Sequence, residues 1–265
     1  MTVRRVEHIS VGGVPTALVS EEEIVSLMVE DCASYRSGNL GLPLTIFDTN
    51  GQALSMRAND AAYAKSLDTA DLVHADGQFI VWMSKLGRGA EVPERSATTD
   101  LFLSAAEGAA RTGIRFYLLG GSREINEACA TTLEGAYPGL TIAGRRDGYF
   151  SDEEEPDVIA DINASDADVV WVGLGKPKEQ LFSQRNKPRL KCAWIVTCGG
   201  CFHYVVGDYP RAPVWMQKAG LEWMHRMATG PRYLVGRYLY TIPHAVGLVI
   251  YKDLLQPLFR SRGRS

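Results

Sequence analysis

Short apolar runs recur along this chain, each ending in small or polar residues before a longer helical stretch. Five such runs stand out. Leu42–Phe47 ends in Asp48-Thr49-Asn50-Gly51, and Asp71–His74 ends in Ala75-Asp76-Gly77. Arg115–Leu119 ends in Gly120-Gly121-Ser122, and Val169–Val172 ends in Gly173-Leu174-Gly175-Lys176-Pro177-Lys178. Ala193–Thr197 ends in Cys198-Gly199-Gly200. Continuous apolar runs of this length alternating with helices predict an α/β fold, a parallel sheet covered by helices on both faces. Ahead of them, Val6 to Val11 and Val14 to Val19 flank Gly12-Gly13 as a small hairpin. Ser20 with Glu23 is a capping-box start for a helix running toward Tyr35.

In such a sheet the loops at the carboxyl ends of the strands share one crevice, and ligands bind there. Glycine lets backbone N–H groups approach a phosphate, and the following helix N-terminus adds favourable partial charge. Glycine also ends strands for purely structural reasons. Five loops that also carry Asp, Asn, Ser or Lys favour a nucleotide-type ligand. None spells G-x-G-x-x-G or a Walker loop, so neither NAD nor ATP is specified.

The pattern changes after Tyr209. Arg211-Ala212-Pro213 leads into an aromatic and basic stretch with Trp215, Met216, Leu221, Trp223 and Met224. Pro231-Arg232 starts another, running through Arg237-Tyr238 to Phe259. Residues 209–265 hold nine Lys/Arg against two Asp/Glu, a charge of +7 in a chain of net −3, so the preceding part carries −10. The division expected is a core over residues 1–208 and a basic helical appendage over 209–265. Fourteen residues between Arg237 and Lys252 lack any charged side chain. That is short of the roughly twenty needed to span a bilayer, and Pro243 and His244 interrupt it. Flanked by arginines, the segment suits an anionic membrane interface; a helix pair packed on the core is the structural alternative. The start of the chain has no signal-peptide character, and five cysteines without a framework point to a reducing cytosol. Cys198 and Cys201 make one C-x-x-C with no second pair, which argues for loop residues over a metal or redox centre.

These blocks, taken in order, resemble the WecG/TagA/CpsF glycosyltransferases, glycosyltransferase family 26, from about Val6 to about Tyr240. The matching segments include Asp48-Thr49-Asn50-Gly51, His74-Ala75-Asp76-Gly77, Leu119-Gly120-Gly121, Asp147-Gly148-Tyr149-Phe150 and Val172 through Lys178. They continue with Gly199-Gly200, Arg211-Ala212-Pro213, Gly220-Leu221-Glu222-Trp223 through Arg226, Pro231-Arg232 and Arg237-Tyr238. The resemblance implies a Rossmann-like core with a basic C-terminal appendage, and inverting, metal-independent transfer of a sugar from a UDP-sugar to a polyprenyl-diphosphate-linked saccharide, with no cofactor. It places the reaction at the inner face of the bacterial cytoplasmic membrane, in exopolysaccharide, capsule or cell-wall polymer synthesis. It also implies self-association.

Carried over residue by residue, the resemblance makes Asp76 the catalytic base and Asn50 a substrate-binding residue. It adds Arg95, with Asp100-Leu101 downstream, and the appendage arginines Arg211, Arg226, Arg232 and Arg237. Thr49, Gly77, Gly120, Gly121, Gly175, Gly199 and Gly200 complete the expected crevice. Three positions depart from the family pattern. Asp48 stands where the family commonly has Thr, Glu179-Gln180 exchanges the usual amide and carboxylate, and His203 falls where an aspartate is usual.

Inverting transfer needs a base for the acceptor hydroxyl and positive charge or N–H donors for the departing diphosphate. Asp76 can instead cap the helix beginning near Gln78. Asp48 is the competing base, and two facing carboxylates would raise one pKa toward a working value. Lys178 and the arginines are candidates to neutralise the diphosphate. Asp166-Ala167-Asp168 precedes its strand and reads as a solvated loop at the wrong edge of the sheet. His74 reads as a packed histidine, and His203 stays open. A nucleotide-cofactor oxidoreductase on the same crevice is the alternative enzyme. The acidic body argues against a nucleic-acid-binding module.

Overall fold

The computed structural model of the protein describes Val3 and residues 6–86 and 90–256. The expected helix end at Phe259 and the remainder of the tail lie outside the described residues. A hairpin of β1 (His8–Val11) and β2 (Val14–Ala17) opens the chain, its turn made by Gly12 and Gly13 at positive φ. The helix α1 (Glu21–Arg36) starts as the capping box requires. The Ser20 hydroxyl accepts from Glu23 N–H, and the Glu23 carboxylate accepts from Ser20 N–H at 2.7 Å.

Six strands form one parallel sheet: β3 (Leu44–Thr49), β4 (Leu72–Ala75), β5 (Arg115–Gly120), β6 (Thr141–Arg146), β7 (Val169–Gly173) and β8 (Trp194–Thr197). Their order is β4-β3-β8-β7-β5-β6, and every pairing is parallel. The apolar runs become β3, β4, β5, β7 and β8, all largely buried as a covered sheet demands, with β4 at one edge of the sheet. The sixth strand, β6, is an added edge. Its sequence Thr-Ile-Ala-Gly-Arg-Arg is half-exposed and shows no continuous apolar run.

Helices α2 (Gly51–Asn59), α3 (Ala61–Asp68), α4 (Gln78–Ser84), α5 (Thr98–Thr112), α6 (Arg123–Ala136), α7 (Glu155–Ala164), α8 (Lys178–Asn186) and α9 (Cys201–Val205) connect and cover the strands. Under them Phe102 packs on Trp171, with ring centroids 4.6 Å apart, and Phe116 meets the same indole edge-on. The five cysteines are unpaired and buried. Asp168 corrects the solvated-loop expectation. It is 1% exposed, accepts Arg36 Nη2 at 2.6 Å and takes the Arg115 backbone N–H, so it ties α1 to the start of β5.

Three further helices follow: α10 (Val214–Lys218), α11 (Glu222–Thr229) and α12 (Tyr233–Val249), the last continuing as a π-helical turn to Leu255. One face of α12 joins the core. Ala245 and Val249 are fully buried in a cluster with Leu54, Val11 and Val14. His244 Nδ1 lies 2.9 Å from the Ser55 hydroxyl, and the Asp253 carboxylate accepts Gly12 N–H at 2.6 Å. No helix among the described residues is long and apolar enough to cross a membrane.

Candidate active site

The carboxyl ends of β3, β4, β7 and β8 open into one crevice that α11 and α12 roof over. It holds two connected chambers, a larger one of about 590 Å³ and a smaller one of about 210 Å³. The larger is walled by the loops after β7 and β8, with Gly175, Gly199 and Gly200 on its surface and Gly121 beside them. The smaller is more aromatic, lined by Phe79, Trp82, Trp223 and Tyr238. Asn50, Asp76, Arg226 and Arg237 belong to both, so the chambers meet at Asp76.

Asp76 is held from two sides. Its Oδ1 accepts Thr98 N–H at 2.8 Å and the Thr98 hydroxyl at 3.0 Å, and its Oδ2 accepts Asn50 Nδ2–H at 3.1 Å. The helix it caps is therefore α5, not α4, whose N-cap Gly77 makes no side-chain cap. Asn50 is pre-set for this by its own duty as the cap of α2, where its Oδ1 accepts Ala53 N–H. Burial works to raise the Asp76 pKa, but the Lys176 ammonium, the Thr98 N–H and the Asn50 amide outweigh it and hold the carboxyl below its usual range.

Asp48 sits one strand over, at the end of β3, and pairs with the Lys176 ammonium. Both side chains are nearly buried. Burial would lower the Lys176 pKa. Asp48, with Tyr63, Glu179 and Asp76 around it, more than reverses that, so the ammonium stays charged. Asp76 is therefore lowered where a facing carboxylate pair would have raised it, because the Lys176 ammonium and the Asn50 amide lie against it. The raised carboxyl is Glu179. Fully buried on α8, it is pushed up to about 7 by desolvation.

Several expected residues stand elsewhere. Lys178 Nζ donates to Gly148 O at 3.2 Å over the Phe150 ring, behind the chamber wall. Gln180 is buried, with its Nε2 3.2 Å from Glu179 Oε1. Thr49 is buried under the crevice. Gly120 serves packing: at φ +141°, a Cβ there would meet Gly173 O at 2.3 Å. Gly77 borders the smaller chamber against Asn50.

Arg95, Asp100 and Arg211 engage one another. Arg95 Nη1 donates to Glu222 at 2.6 Å, Arg211 Nη1 pairs with Asp100 at 2.8 Å, and both arginines reach Gln217. This network docks α10 and α11 on the start of α5, although Arg95 also borders the smaller chamber. His203 lines the larger chamber, stacked on Tyr209 and bonded to Asp208 at 2.7 Å. Arg226 and Arg237 face both chambers, with no carboxylate partner among the described residues, and lie over the Tyr204 and Tyr238 rings. Arg232 is exposed at the start of α12 and lines neither. His74 is buried, its Nδ1 2.9 Å from Ser96 O, and burial lowers its pKa.

Sequence reasoning did not single out Lys176, Thr98 or the aromatic lining. Lys176 stood in plain view, but the sequence points to Lys178 in the same loop, and only the fold brings Lys176 against Asp48. Thr98 lies far along the chain from Asp76, and only the fold joins them.

The chain is 32% identical over 219 residues to an N-acetylglucosaminyldiphosphoundecaprenol N-acetyl-β-D-mannosaminyltransferase of Bacillus spizizenii strain W23, covering 79% of this chain and 83% of that protein. A Bacillus subtilis strain 168 protein of the same description is 29% identical over 172 residues, covering 65% of this chain and 66% of the other. The family described as glycosyl transferase WecG/TagA/CpsF matches residues 9–258. With the match reaching from the hairpin to the end of α12, the chain belongs to the WecG/TagA/CpsF family of glycosyltransferases.

Proposed function

We propose that the protein moves a hexose or N-acetylhexosamine from a UDP-sugar to a polyprenyl-diphosphate-linked saccharide, inverting the anomeric centre without a metal ion. The observation that carries this reading is Asp76 at the boundary between the two chambers. The larger chamber, with its glycine turns after β7 and β8 and the Arg226 and Arg237 cations at its edge, takes the donor nucleotide. The smaller, aromatic one takes the acceptor saccharide, since aromatic faces suit sugar C–H surfaces. The two Bacillus relatives are named for an acceptor of this kind, N-acetylglucosamine on a diphosphate-linked undecaprenol.

Oδ1 of Asp76 is occupied by Thr98, while Oδ2 holds only the Asn50 amide and keeps a lone pair for the incoming hydroxyl. As the acceptor oxygen bonds to the anomeric carbon, its proton passes to Asp76 Oδ2 and the bond from that carbon to the diphosphate oxygen breaks. UDP leaves with the bonding pair. Arg226 and Arg237, which face both chambers, supply positive charge to the departing diphosphate. Asp48, committed to Lys176, is the weaker base candidate.

The exposed face of α12 supports peripheral attachment to the anionic inner face of the cytoplasmic membrane. Leu239, Tyr240, Ile250 and Tyr251 project there as large exposed side chains, with Arg232 at the helix start. The test of the reaction is a UDP-sugar panel against polyprenyl-diphosphate saccharides, read by product mass and anomeric configuration. A retained anomeric configuration, or no transfer from any UDP-sugar, would overturn the reading.

A further inference from the structure

The loops after β7 and β8 form adjacent walls of the larger chamber, and one buried side chain joins them. Glu179 Oε2 accepts Gly175 N–H at 3.0 Å and Gly199 N–H at 3.0 Å. Gly175 returns the contact, its carbonyl accepting Glu179 N–H at 3.0 Å. Gly175 and Gly199 both have positive φ, so each turn relies on glycine and neither has a side chain to brace it. Without the carboxylate, two N–H groups at the chamber wall would lose their partner.

The other carboxylate oxygen carries a second feature. Gln180 Nε2 lies 3.2 Å from Glu179 Oε1, while Gln180 Oε1 is buried with no hydrogen-bond partner. That arrangement fits an ionised Glu179. A proton placed on Glu179 Oε1 would instead be accepted by Gln180 Oε1 after the amide turns over, satisfying the orphaned oxygen. The brace therefore has two hydrogen-bonded states that differ by one proton. Its charged and titratable neighbours are Lys176 on its own loop, Asp48 on β3, Tyr63 on α3 and Cys198 after β8. Desolvation brings the carboxyl to about 7, against the pull of Lys176, so both states are accessible near neutrality.

We propose that Glu179 is a positioning residue for the donor: it clips the Gly175 and Gly199 turns into one nucleotide-binding wall and takes up a proton when the anionic nucleotide arrives. This rests on the donor reading given above. An incoming diphosphate beside the wall favours the neutral carboxyl, because like charges disfavour ionisation. By linkage, nucleotide affinity rises as pH falls through neutrality.

The experiment uses the full chain with UDP as the probe, in calorimetry repeated in buffers of different ionisation enthalpy at about pH 7. Wild type is expected to take up more protons on binding than Glu179→Gln, the difference cancelling the titration of UDP itself. Glu179→Gln, which keeps an acceptor for both glycines, should bind within about threefold of wild type, whereas Glu179→Ala should bind about tenfold or more weakly. Equal proton counts for wild type and Glu179→Gln, or wild-type affinity in Glu179→Ala, would overturn the proposal. If wild type does not bind UDP, the donor reading fails, and the brace is judged without nucleotide. The backbone amide resonances of Gly175 and Gly199 should then titrate together near neutral pH in wild type and stay flat in Glu179→Gln. Flat resonances in wild type refute the brace, and this readout does not depend on Glu179→Ala folding.

Discussion

The Lys176 ammonium and the Asp48 carboxylate form a nearly buried ion pair at the floor of the larger chamber, one strand away from Asp76. The pair engages an Asp48 oxygen and leaves Asp76 as the carboxylate at the junction of the chambers. A buried pair is costly to break on one side, because the survivor is left charged without compensation. Lys176→Met should lower unfolding free energy by about 3 kcal/mol or more. The double variant Asp48→Thr/Lys176→Met, which removes both charges, should recover most of that loss. Urea unfolding of the two singles and the double measures the coupling. Additive losses would mean the pair is not an energetic unit.

Asp76→Asn preserves the shape of the site and the Oδ1 contacts to Thr98 while removing the proton acceptor. Turnover should fall by about a hundredfold to ten-thousandfold, with UDP affinity within a few-fold of wild type. Asp48→Asn should cost less turnover and more stability. Single-turnover rates with titrated UDP binding separate the two effects. Near wild-type turnover in Asp76→Asn would remove it as base.

The appendage arginines divide by position. Arg226 and Arg237 face both chambers, and Arg232 is exposed outside them. On the proposed donor reading, Arg226→Ala and Arg237→Ala should each weaken UDP binding or slow transfer by about tenfold or more, since each removes a cation from the chamber assigned to the diphosphate. Arg232→Ala should leave kcat and KM unchanged toward a short-chain acceptor in solution. A defect of equal size in all three would mean that α12 moves during the reaction and brings Arg232 inward.

The buried strands were legible because covered strands are continuous apolar runs, and Asp76 and Asn50 were legible as polar residues at strand ends. What escaped depended on contacts between distant segments. The β6 strand is a half-exposed edge and carries no such run. Asp168 looked solvated beside Asp166, and its burial follows from Arg36 132 positions away. Thr98 donates to a carboxylate 22 positions earlier, and Lys176 pairs with one 128 positions earlier. Local pattern locates the strand ends; it does not say which side chains meet across them.

The docking of α12 determines how membrane attachment is tested. Ala245 and Val249 are buried against the core, and Arg237 lines the chambers, so removing everything from Pro231 onward would damage the site together with any anchor. Leu239 is 64% exposed and Ile250 is 42% exposed, so both can be changed with little effect on packing. Leu239→Asp/Ile250→Asp should reduce sedimentation with anionic vesicles severalfold while leaving activity toward a soluble acceptor intact. Unchanged sedimentation would show that another surface carries the attachment.

Two carboxyls of the site shift in opposite directions, and this separates their effects on stability. Asp76 is held below its ordinary value, so its stabilising contribution is complete above about pH 4 and is lost only as pH falls further. Glu179 is raised from 4.5 to about 7, so the folded chain holds its proton more tightly than the unfolded one. Its contribution is full below about pH 4.5 and is lost as pH rises through 7. Wild type should therefore lose up to about 3 kcal/mol relative to Glu179→Gln between pH 4.5 and pH 8, as a shift of that size implies. Histidines titrate in both proteins and cancel in the comparison. Urea midpoints at both pH values provide the measurement, and a constant gap between the two proteins would show that Glu179 does not titrate in this range.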